Sequence, residues 1–490
     1  MPVELEYASG RGRWVILAAV AGSGVAAIDS TVVGIALPTI GRSMHAELGT
    51  LQWVVSGYML TLTAFLLIGG SLGDRLGRAR VFSVGVAWFA VASAMCGLAP
   101  SAGWLIAARI LQGIGAALLT PASLAILQAS FRPDDRARAI GAWSGLGGLA
   151  TATGPLVGGY LISVGSWRWV FFINLPVAAL VLWITWRHVP ESRDPEATAH
   201  LDGRGAILAV VWLSALTYAF IEGPTRGWTS APVVAGLVLG VAGLVTFLWA
   251  ERVAQAPMLP LPLFRRRQFS AANAVTFVVY GALGGALFLL PVERQVVSGY
   301  TPLEAGLTLL PVTLIMLAFS ARSGRLATRI GPRLQMSVGP IVVAFGLVLL
   351  ARMPADGTYL TTVLPAVVVF GAGLAITVAP LTATAMGAAP PENAGVASAV
   401  NNVVARSAGL LAVAVLPYLA GIMGDSYLHP VALAHGFHRA LLIAAIVCAS
   451  GGVLAALTIT NPRREAVAPA EEPCFHCALD ATPMRVDAAA

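Results

Sequence analysis

The sequence predicts an all-α polytopic membrane protein with about fourteen transmembrane helices. The chain has 490 residues, of which 57% are hydrophobic and 11% are charged, and its mean hydropathy is +0.81. Soluble domains carry about 25% charged residues, so this balance indicates lipid as the surrounding medium. Apolar runs of about 18 to 25 residues recur along nearly the whole chain, and each is long enough to cross a bilayer as a helix.

The apolar runs between polar breaks give the expected helices in chain order. The first run continues past Asp29 to Pro38 without a small-residue cleavage pattern, which favours a retained helix over a signal peptide. The expected helices span residues 14–38, 51–73, 81–99, 104–128, 138–163, 169–187, 204–221, 232–250, 270–292, 304–321, 334–351, 360–387, 395–420 and 437–459.

All 30 basic residues are arginine, and the absence of lysine is typical of a high-GC bacterial genome. A phosphate-binding loop of the Walker type needs its lysine, so the energy source is expected to be an ion gradient and not ATP hydrolysed by this chain. The arginines concentrate in alternate connections, which favours cytoplasmic termini in a bacterial inner membrane. This placement explains the net charge of +7 without nucleic-acid binding, so no nucleic-acid partner is expected.

The four cysteines give no disulfide framework. Cys96 and Cys448 lie in apolar runs and are expected in the core. Cys474 and Cys477 form a lone CxxC in the tail, which is weak evidence for a metal site, so no metal and no cofactor is expected.

An internal repeat divides the chain. The stretch Gly70-x-Leu72-x-x-Arg75-x-Gly77 has a counterpart in Gly324-x-Leu326-x-x-Arg329-x-Gly331. The spacing exceeds what six helices need, which predicts two inserted helices between two six-helix halves around a central cavity. The expected divisions are an N-terminal bundle 1–187, the inserted pair with its flanking loops 188–269, a C-terminal bundle 270–460 and a disordered cytoplasmic tail 461–490.

Several motifs resemble those of one transporter family. The quoted stretches are Asp29-Ser-Thr31 through Leu37-Pro38, Gly70-x-Leu72-x-Asp74-Arg75-x-Gly77-Arg78, Arg109-Ile-Leu-Gln112-Gly113, Gly154-Pro155-Leu-Val-Gly158-Gly159, Trp167-Arg168-Trp169 through Asn174-Leu-Pro176, and Gly299-Tyr300-Thr-Pro302 through Gly306. Together they resemble the fourteen-helix drug:proton antiporter branch of the major facilitator superfamily. The resemblance implies the major facilitator fold and a proton-coupled exporter of small lipophilic drugs or antibiotics that functions as a monomer.

The resemblance implies a cytoplasmic gate formed by Gly70, Asp74, Arg75, Gly77, Arg78 and Arg138. Asp74 is expected to meet Arg136, Arg138 or the N-terminus of helix 334–351 when the protein is open to the outside. The alternative is an ordinary positive-inside turn over residues 73–80. The antiporter motif Gly154, Pro155, Gly158 and Gly159 permits a bend and close helix packing, and generic packing explains it equally well.

Asp29, Arg109 and Glu222 are the candidates for proton coupling. Burial disfavours the charged form of Asp29 and a nearby cation favours it, and an acid inside the membrane indicates function. Arg109 is expected at a comparable depth, so the two can form a coupled pair. The alternatives are a structural ion pair for Asp29, a snorkelling side chain for Arg109 and a solvated loop acid for Glu222.

Gln112, Tyr58, Trp143, Asn401 and Arg406 are the candidates for the substrate cavity, with helix packing as the alternative for each. Helix 304–321 carries Glu304 only at its outer end, which favours neutral or monocationic substrates over dications. An uptake symporter for a small nutrient is the alternative function. No nucleophile–base arrangement is evident in the sequence, so an enzyme is not expected.

Overall fold

The computed structural model describes residues 4–194, 202–255, 257–354, 357–390 and 393–461. Within these ranges the chain is built almost entirely of helices. The α-helices are α1 (Gly10–Met44), α2 (Leu48–Leu76), α3 (Arg78–Gly97), α4 (Ala102–Ser130), α5 (Pro133–Val164), α6 (Trp169–Phe172), α7 (Asn174–His188), α8 (Gly203–Arg226), α9 (Ala231–Val253), α10 (Arg267–Val296), α11 (Pro302–Leu307), α12 (Leu310–Ile330), α13 (Pro332–Ala351), α14 (Leu364–Gly387), α15 (Ala394–Leu419) and α16 (Pro430–Thr458).

The fourteen expected helices are confirmed. Two crossings consist of a short helix followed by a longer one, α6 with α7 and α11 with α12. In the described part of the chain, thirteen crossings are long and apolar enough to span a membrane. The remaining crossing is α5, which has 32 residues and carries Asp134 and Asp135 in its first turn. These lengths suit a bilayer about 30 Å thick.

Several boundaries differ from the expectation. The interpretation of residues 73–80 as a loop is wrong, because α2 continues to Leu76 and α3 begins at Arg78. Gly77 alone joins them, with φ at +114°, a conformation that favours glycine. Helix α10 continues to Val296, which moves Glu293 and Arg294 from an expected loop into a span. The expected disordered tail beyond residue 461 lies outside the described residues.

The helices pack as two bundles with a third, smaller group. Helices α1–α5 and α7 pack against one another, as do α10 and α12–α16. The inserted helices α8 and α9 pair together, and α8 packs against α2 and α15. Gly236, Gly240 and Gly243 of α9 lie against α8, where a Cβ atom would come within 3.2 Å of its atoms. Small residues therefore allow the close approach that holds this pair.

Both described termini lie at the same end of the molecule, here called the terminal end. Leu5 donates its backbone N–H to Ser130 at the α4–α5 junction, and Asn461 accepts from the Arg333 backbone at the α12–α13 junction. Because fourteen crossings separate the termini, the connections alternate between this end and the opposite end.

The two bundles are closed against each other at the opposite end. Gln52 of α2 donates to the Val413 carbonyl of α15 at 2.6 Å, and Gln295 of α10 donates to the Ile35 carbonyl of α1 at 2.9 Å. The Tyr427 hydroxyl donates to the Ala46 carbonyl. These bonds satisfy buried side chains and join the bundles.

Toward the terminal end, α5 and α12 expose side chains over much of their surface. In α5 the exposed residues include Ser144, Gly145, Leu146, Gly148, Leu149 and Thr151, and in α12 much of the stretch 317–330 is exposed. Since successive helix positions turn by about 100°, these exposed positions lie on more than one face. Each half-helix is covered on one side, where Trp143 of α5 bonds to α1 and Ser323 of α12 bonds to α14. The space between the bundles therefore opens toward the terminal end.

Candidate functional site

Asp29 is buried in the middle of α1 and is surrounded by hydrogen-bond donors. The residue is 1% exposed. Its Oδ2 pairs with the Arg109 guanidinium of α4, and its Oδ1 accepts from Gln112 Nε2 at 2.8 Å and from Asn174 Nδ2 at 3.1 Å. Carboxylates accept hydrogen bonds from such groups in their ionised form, so the arrangement suits an ionised Asp29.

A second polar side chain ties the donors together. Ser93 of α3 accepts from Gln112 at 2.7 Å and from Asn174 at 3.1 Å. The Gln112 Oε1 accepts from Arg109 at 2.6 Å, which fixes the orientation of the amide. Arg109 and Gln112 are three residues apart and share one face of α4. The network, here called the Asp29 network, comprises Asp29, Ser93, Arg109, Gln112 and Asn174.

Arg109 is held on two further sides by α2. Its Nε donates to the Val54 carbonyl at 3.1 Å, and its guanidinium carbon lies 4.2 Å from the centroid of the Tyr58 ring. The Tyr58 hydroxyl donates to the Ala26 carbonyl of α1 at 3.2 Å. A cation over an aromatic face is stabilised electrostatically, so Tyr58 supports the charge of Arg109 when Asp29 is neutral.

The only carboxyl group of the Asp29 network is that of Asp29, and its ion pair is with Arg109. As built, one anion and one cation balance, which limits the cost of burial in the membrane. A proton on Asp29 would remove the anion and leave Arg109 with its Tyr58, Gln112 and Val54 contacts. Because these contacts come from α2 and α4, a change of charge acts directly on the packing of α1 against both helices.

The sequence prediction placed part of this site correctly. Asp29 and Arg109 form the predicted pair. Gln112 and Tyr58 were predicted to line the cavity. In this structure both are fully buried, one inside the Asp29 network and the other against Arg109, and a contact with cargo stays a prediction. Their polar groups are used within the N-terminal bundle because desolvated polar atoms need partners.

Three predicted cavity residues have different environments. Trp143 of α5 donates to Ser23 of α1 at 2.9 Å, and Asn401 of α15 donates to Thr276 of α10 at 2.8 Å. Both therefore join neighbouring helices. Arg406 of α15 is half-buried, and its Nε is buried without a hydrogen-bond partner.

Glu222 is not brought to the Asp29 network. It lies in α8, where its carboxylate pairs with Arg226 at 2.6 Å, one helical turn away. The Arg226 side chain is 56% exposed, and such pairs contribute little to stability. No contact with Asp29 or Arg109 is found for Glu222 in the described part of the chain, so a role in proton coupling stays a prediction.

The predicted gate residues cluster at the α2–α3 junction. Asp74 pairs with Arg78 at 2.8 Å. Arg138 instead lies over the ring of Tyr7, at 4.2 Å from its centroid. Gly70 and Arg75 lie in the last turns of α2. The latch between Asp74 and Arg136, Arg138 or α13 was predicted for the state open at the opposite end, and it stays a prediction.

The glycines of the predicted antiporter motif lie where α5 meets two other helices. A Cβ atom on Gly154 would come 2.1 Å from Thr31 Oγ1 of α1, and one on Gly158 would come 2.6 Å from Val32. A Cβ on Gly159 would come 2.6 Å from the Leu303 backbone of α11. The expected close packing is confirmed, while a bend at Pro155 stays a prediction.

Sequence reasoning missed several polar residues. Ser93 is a small hydroxyl residue in an apolar helix, a pattern too common to single it out, and Asn174 appeared only as part of a motif. Glu293 and Arg294 form a buried pair in α10, with Arg294 Nη2 at 2.7 Å from Glu293 Oε1. In the sequence, Glu293 and Arg294 are adjacent, opposite charges that directly follow an apolar run. That pattern could have indicated a buried ion pair.

Cys96 and Cys448 are buried free thiols in the described part of the chain, as predicted. The CxxC of Cys474 and Cys477 lies outside the described residues. Among the described residues, no group of histidine, cysteine and acidic side chains is arranged to hold a metal ion.

Comparison with known proteins bears on these features. Residues 19–413 match the Major Facilitator Superfamily. The chain is 39% identical over 374 residues to the multidrug resistance protein Stp of Mycobacterium tuberculosis, covering 76% of this chain and 69% of that protein. It is 36% identical over 421 residues to the tetracenomycin C resistance and export protein of Streptomyces glaucescens, covering 85% and 78%.

The fold also matches a solved transporter structure. A bacterial homologue of the human lysosomal transporter Spinster, in an inward-facing and unoccupied conformation, superposes with a TM-score of 0.65 at 17% identity, covering 92% of this chain and 97% of that one. The family match covers most of the chain, and the membrane-spanning helices and two bundles agree with it. The chain belongs to the major facilitator superfamily of membrane transporters.

Proposed function

We propose that this protein is a proton-coupled antiporter that exports small lipophilic organic molecules by alternating access. The observation that carries the proposal is the buried Asp29–Arg109 pair within the membrane-spanning helices. Ionisable residues at such depth are costly, and they mark proton or substrate pathways in transporters. The names of the two relatives, a multidrug resistance protein and a resistance and export protein, support the outward direction.

The arginine distribution supports a cytoplasmic terminal end in a bacterial inner membrane. The space between the bundles then opens to the cytoplasm. In this inward-facing state Asp29 is paired and suits the ionised form, which is the condition expected after a proton has been released inside. Protonation from the outside would break the pair in the opposite state, and each reorientation would exchange one cargo molecule for protons.

The proton gradient is sufficient for such work. One proton that moves inward down 100 mV supplies about 2.3 kcal/mol, which supports a cargo gradient of roughly 50-fold. A pH gradient adds to this. The proposal therefore needs no cofactor and no ATP, and it assigns proton coupling to a single chain acting as a monomer in the bilayer.

The Asp29→Asn variant tests the proposal. A resistance panel in a pump-deficient host first identifies a cargo, and everted vesicles then report cargo transport and proton movement with a pH-sensitive dye. Asparagine keeps the size and hydrogen bonding of the side chain but cannot titrate, so we expect cargo-induced proton release to disappear. Asp134→Asn, an exposed acid in the first turn of α5, is the matched control.

Retained proton release in Asp29→Asn vesicles would exclude Asp29 as the proton carrier. Cargo accumulation by intact cells expressing the protein, in place of cargo depletion, would instead support the uptake symporter. Both measurements are made with the same cargo, so the two failures are separable.

A further inference from the structure

Arg406 lies near the middle of α15, where the two bundles meet. Helix α15 has 26 residues, about 39 Å at 1.5 Å per residue, and Arg406 is close to its midpoint. Helix α15 packs against both α2 and α10. Since α2 belongs to one bundle and α10 to the other, Arg406 lies on the interface that opens during transport.

The guanidinium of Arg406 has no carboxylate partner among the described residues. Its Nε is buried without a hydrogen bond. The acids buried within the spans of the two bundles are engaged elsewhere: Asp29 pairs with Arg109 and Glu293 with Arg294. An unpaired charge inside a membrane protein is costly, so this charge calls for an acceptor that the chain does not supply.

The surroundings of Arg406 favour a flat apolar ligand with one acidic group. The groups that act electrostatically on the guanidinium are the tyrosines Tyr58 and Tyr280, and aromatic rings offer large apolar contact surfaces. The nearby amide of Asn401 is already bonded to Thr276 and Asn273. Arg406 is therefore the cation left available for a ligand in this part of the described interface.

We propose that Arg406 is the anion-binding group of the cargo site, and that the cargo is a lipophilic molecule bearing a carboxylate or an equally acidic enol or phenol. The planar fork of a guanidinium matches such oxygen pairs. The inference rests on the proposed export function, because it names the cargo class of the same transporter. It replaces the expectation of neutral or monocationic cargo, which followed from the absence of a buried acid in the helix predicted at 304–321.

A negatively charged cargo also suits export from a cell whose interior is electrically negative. Each exported anion moves down the membrane potential, so it adds to the charge moved by protons. The anionic class is thus energetically consistent with the proposed direction.

Three probes that share the same hydrophobic group but differ in charge test which charge the cargo site prefers. Pyrenebutyrate is an anion, pyrenebutanol is neutral and pyrenebutyltrimethylammonium is a cation. Binding to the purified full-length protein is measured by fluorescence anisotropy, which needs no proton gradient. We expect the anion to bind at least about tenfold more tightly than the alcohol. One charge-assisted hydrogen bond contributes enough binding free energy for this difference in affinity.

The variants are Arg406→Met and Arg406→Lys, with Arg352→Met, an exposed arginine, as the control. We expect Arg406→Met to abolish the preference for the anion while the affinity for the alcohol changes by less than about twofold. Arg406→Lys should retain part of the preference because it keeps the charge and loses the fork. Arg352→Met should behave like the unmodified protein.

Equal binding of the anion and the alcohol by the unmodified protein, tighter binding of the cation, or no binding of any probe would overturn the proposal. So would an equal loss for all three probes in Arg406→Met, which would indicate a structural role. Thermal unfolding distinguishes a binding role of Arg406 from a structural one. If Arg406 is an unpaired charge that binds cargo, Arg406→Met should not lower the unfolding midpoint. If the anion preference depends on Arg406 while Asp29→Asn still couples protons, only the proposed proton carrier fails.

Discussion

Asp29 illustrates how a single buried acid obtains its environment from several helices. Its partners come from α4 and α7, and Ser93 of α3 links two of them. Asp29 and Arg109 can be predicted from the sequence, because hydropathy gives the helices and the position along each helix gives the depth in the membrane. The amide partners are not, because Gln112 and Asn174 become ligands of Asp29 only through the relative rotation of α1, α4 and α7.

Tyr427 provides a residue-scale prediction at the opposite end. Its hydroxyl donates to the Ala46 carbonyl, so Tyr427→Phe should cost about 0.5–1.5 kcal/mol. Burial, followed by the charge of Asp425, raises the pKa of Tyr427 to about 12. A raised pKa means that the contribution is complete below the unfolded pKa of about 10 and is lost as pH rises toward 12.

The measurement is the difference in thermal unfolding midpoint between Tyr427→Phe and the unmodified protein in detergent. We expect the same difference at about pH 6 and about pH 8, because both lie below the unfolded pKa of the phenol. A difference that changes between these two values would mean that another titrating group controls the contact.

At the scale of elements, the repeat is structurally similar but chemically unequal. Gly77 and Gly331 both take a positive φ, +114° and +85°, at the junctions α2–α3 and α12–α13. Asp74 pairs with Arg78, whereas Thr328 donates to the Arg325 carbonyl of its own helix at 2.7 Å. Of these two equivalent positions, only Asp74 therefore carries a side chain that forms an ion pair.

The contact between α5 and α11 gives an element-scale prediction. A Cβ on Gly306 would lie 2.4 Å from the Pro155 carbonyl oxygen, a backbone atom that cannot move alone. Gly306→Ala should therefore oppose closure at the opposite end and lower the closed-to-open ratio by about fivefold or more, since overpacking costs about 1–3 kcal/mol.

Spin-label distances between α5 and α11 at the opposite end measure this population. Gly148→Ala, also in α5, is the control, because a Cβ there meets nothing within 4 Å. An unchanged distance distribution in Gly306→Ala would show that the helices adjust without opening.

Helix α10 gives a second prediction through Glu293 and Arg294, whose side chains are 4% and 1% exposed. Glu293→Gln leaves a buried unpaired guanidinium and should destabilise the protein by about 3–5 kcal/mol. The double variant Glu293→Leu with Arg294→Met should lose much less, because no charge remains to be desolvated. The measurement is the thermal unfolding midpoint of the single and double variants in detergent. Equal losses of stability would contradict the argument that the ion pair keeps the buried Arg294 charge from destabilising the protein.

At the scale of the molecule, closure at one end and separation at the other define one state of the transport cycle. Cross-bundle bonds from Gln52, Gln295 and Tyr427 lie at the opposite end. The exposed halves of α5 and α12 lie at the terminal end. Because Gly159 and Gly306 belong to the closed contact, the motif glycines set how tightly the two bundles can meet.

The orientation in the membrane is a prediction for the whole molecule. In a background without native cysteines, Gly203→Cys reports the terminal end and Gly299→Cys the opposite end. A membrane-impermeant maleimide added to intact cells should label Gly299→Cys, and should label Gly203→Cys only after the cells are opened. The reverse pattern would place the termini outside and would contradict the positive-inside argument.

The sequence by itself determined the membrane class, the fourteen crossings and the pairing of Asp29 with Arg109, because hydropathy, arginine placement and the cost of buried charge are local properties of the chain. It did not determine the ends of α2 and α10, since helices can continue past polar residues when those residues find partners. Only the tertiary structure decided that Gln112 and Tyr58 contact Arg109, that Glu293 is neutralised by Arg294, and that no acid of the described residues pairs with Arg406. These outcomes depend on which helix faces meet, and that is set by packing between segments far apart in the chain.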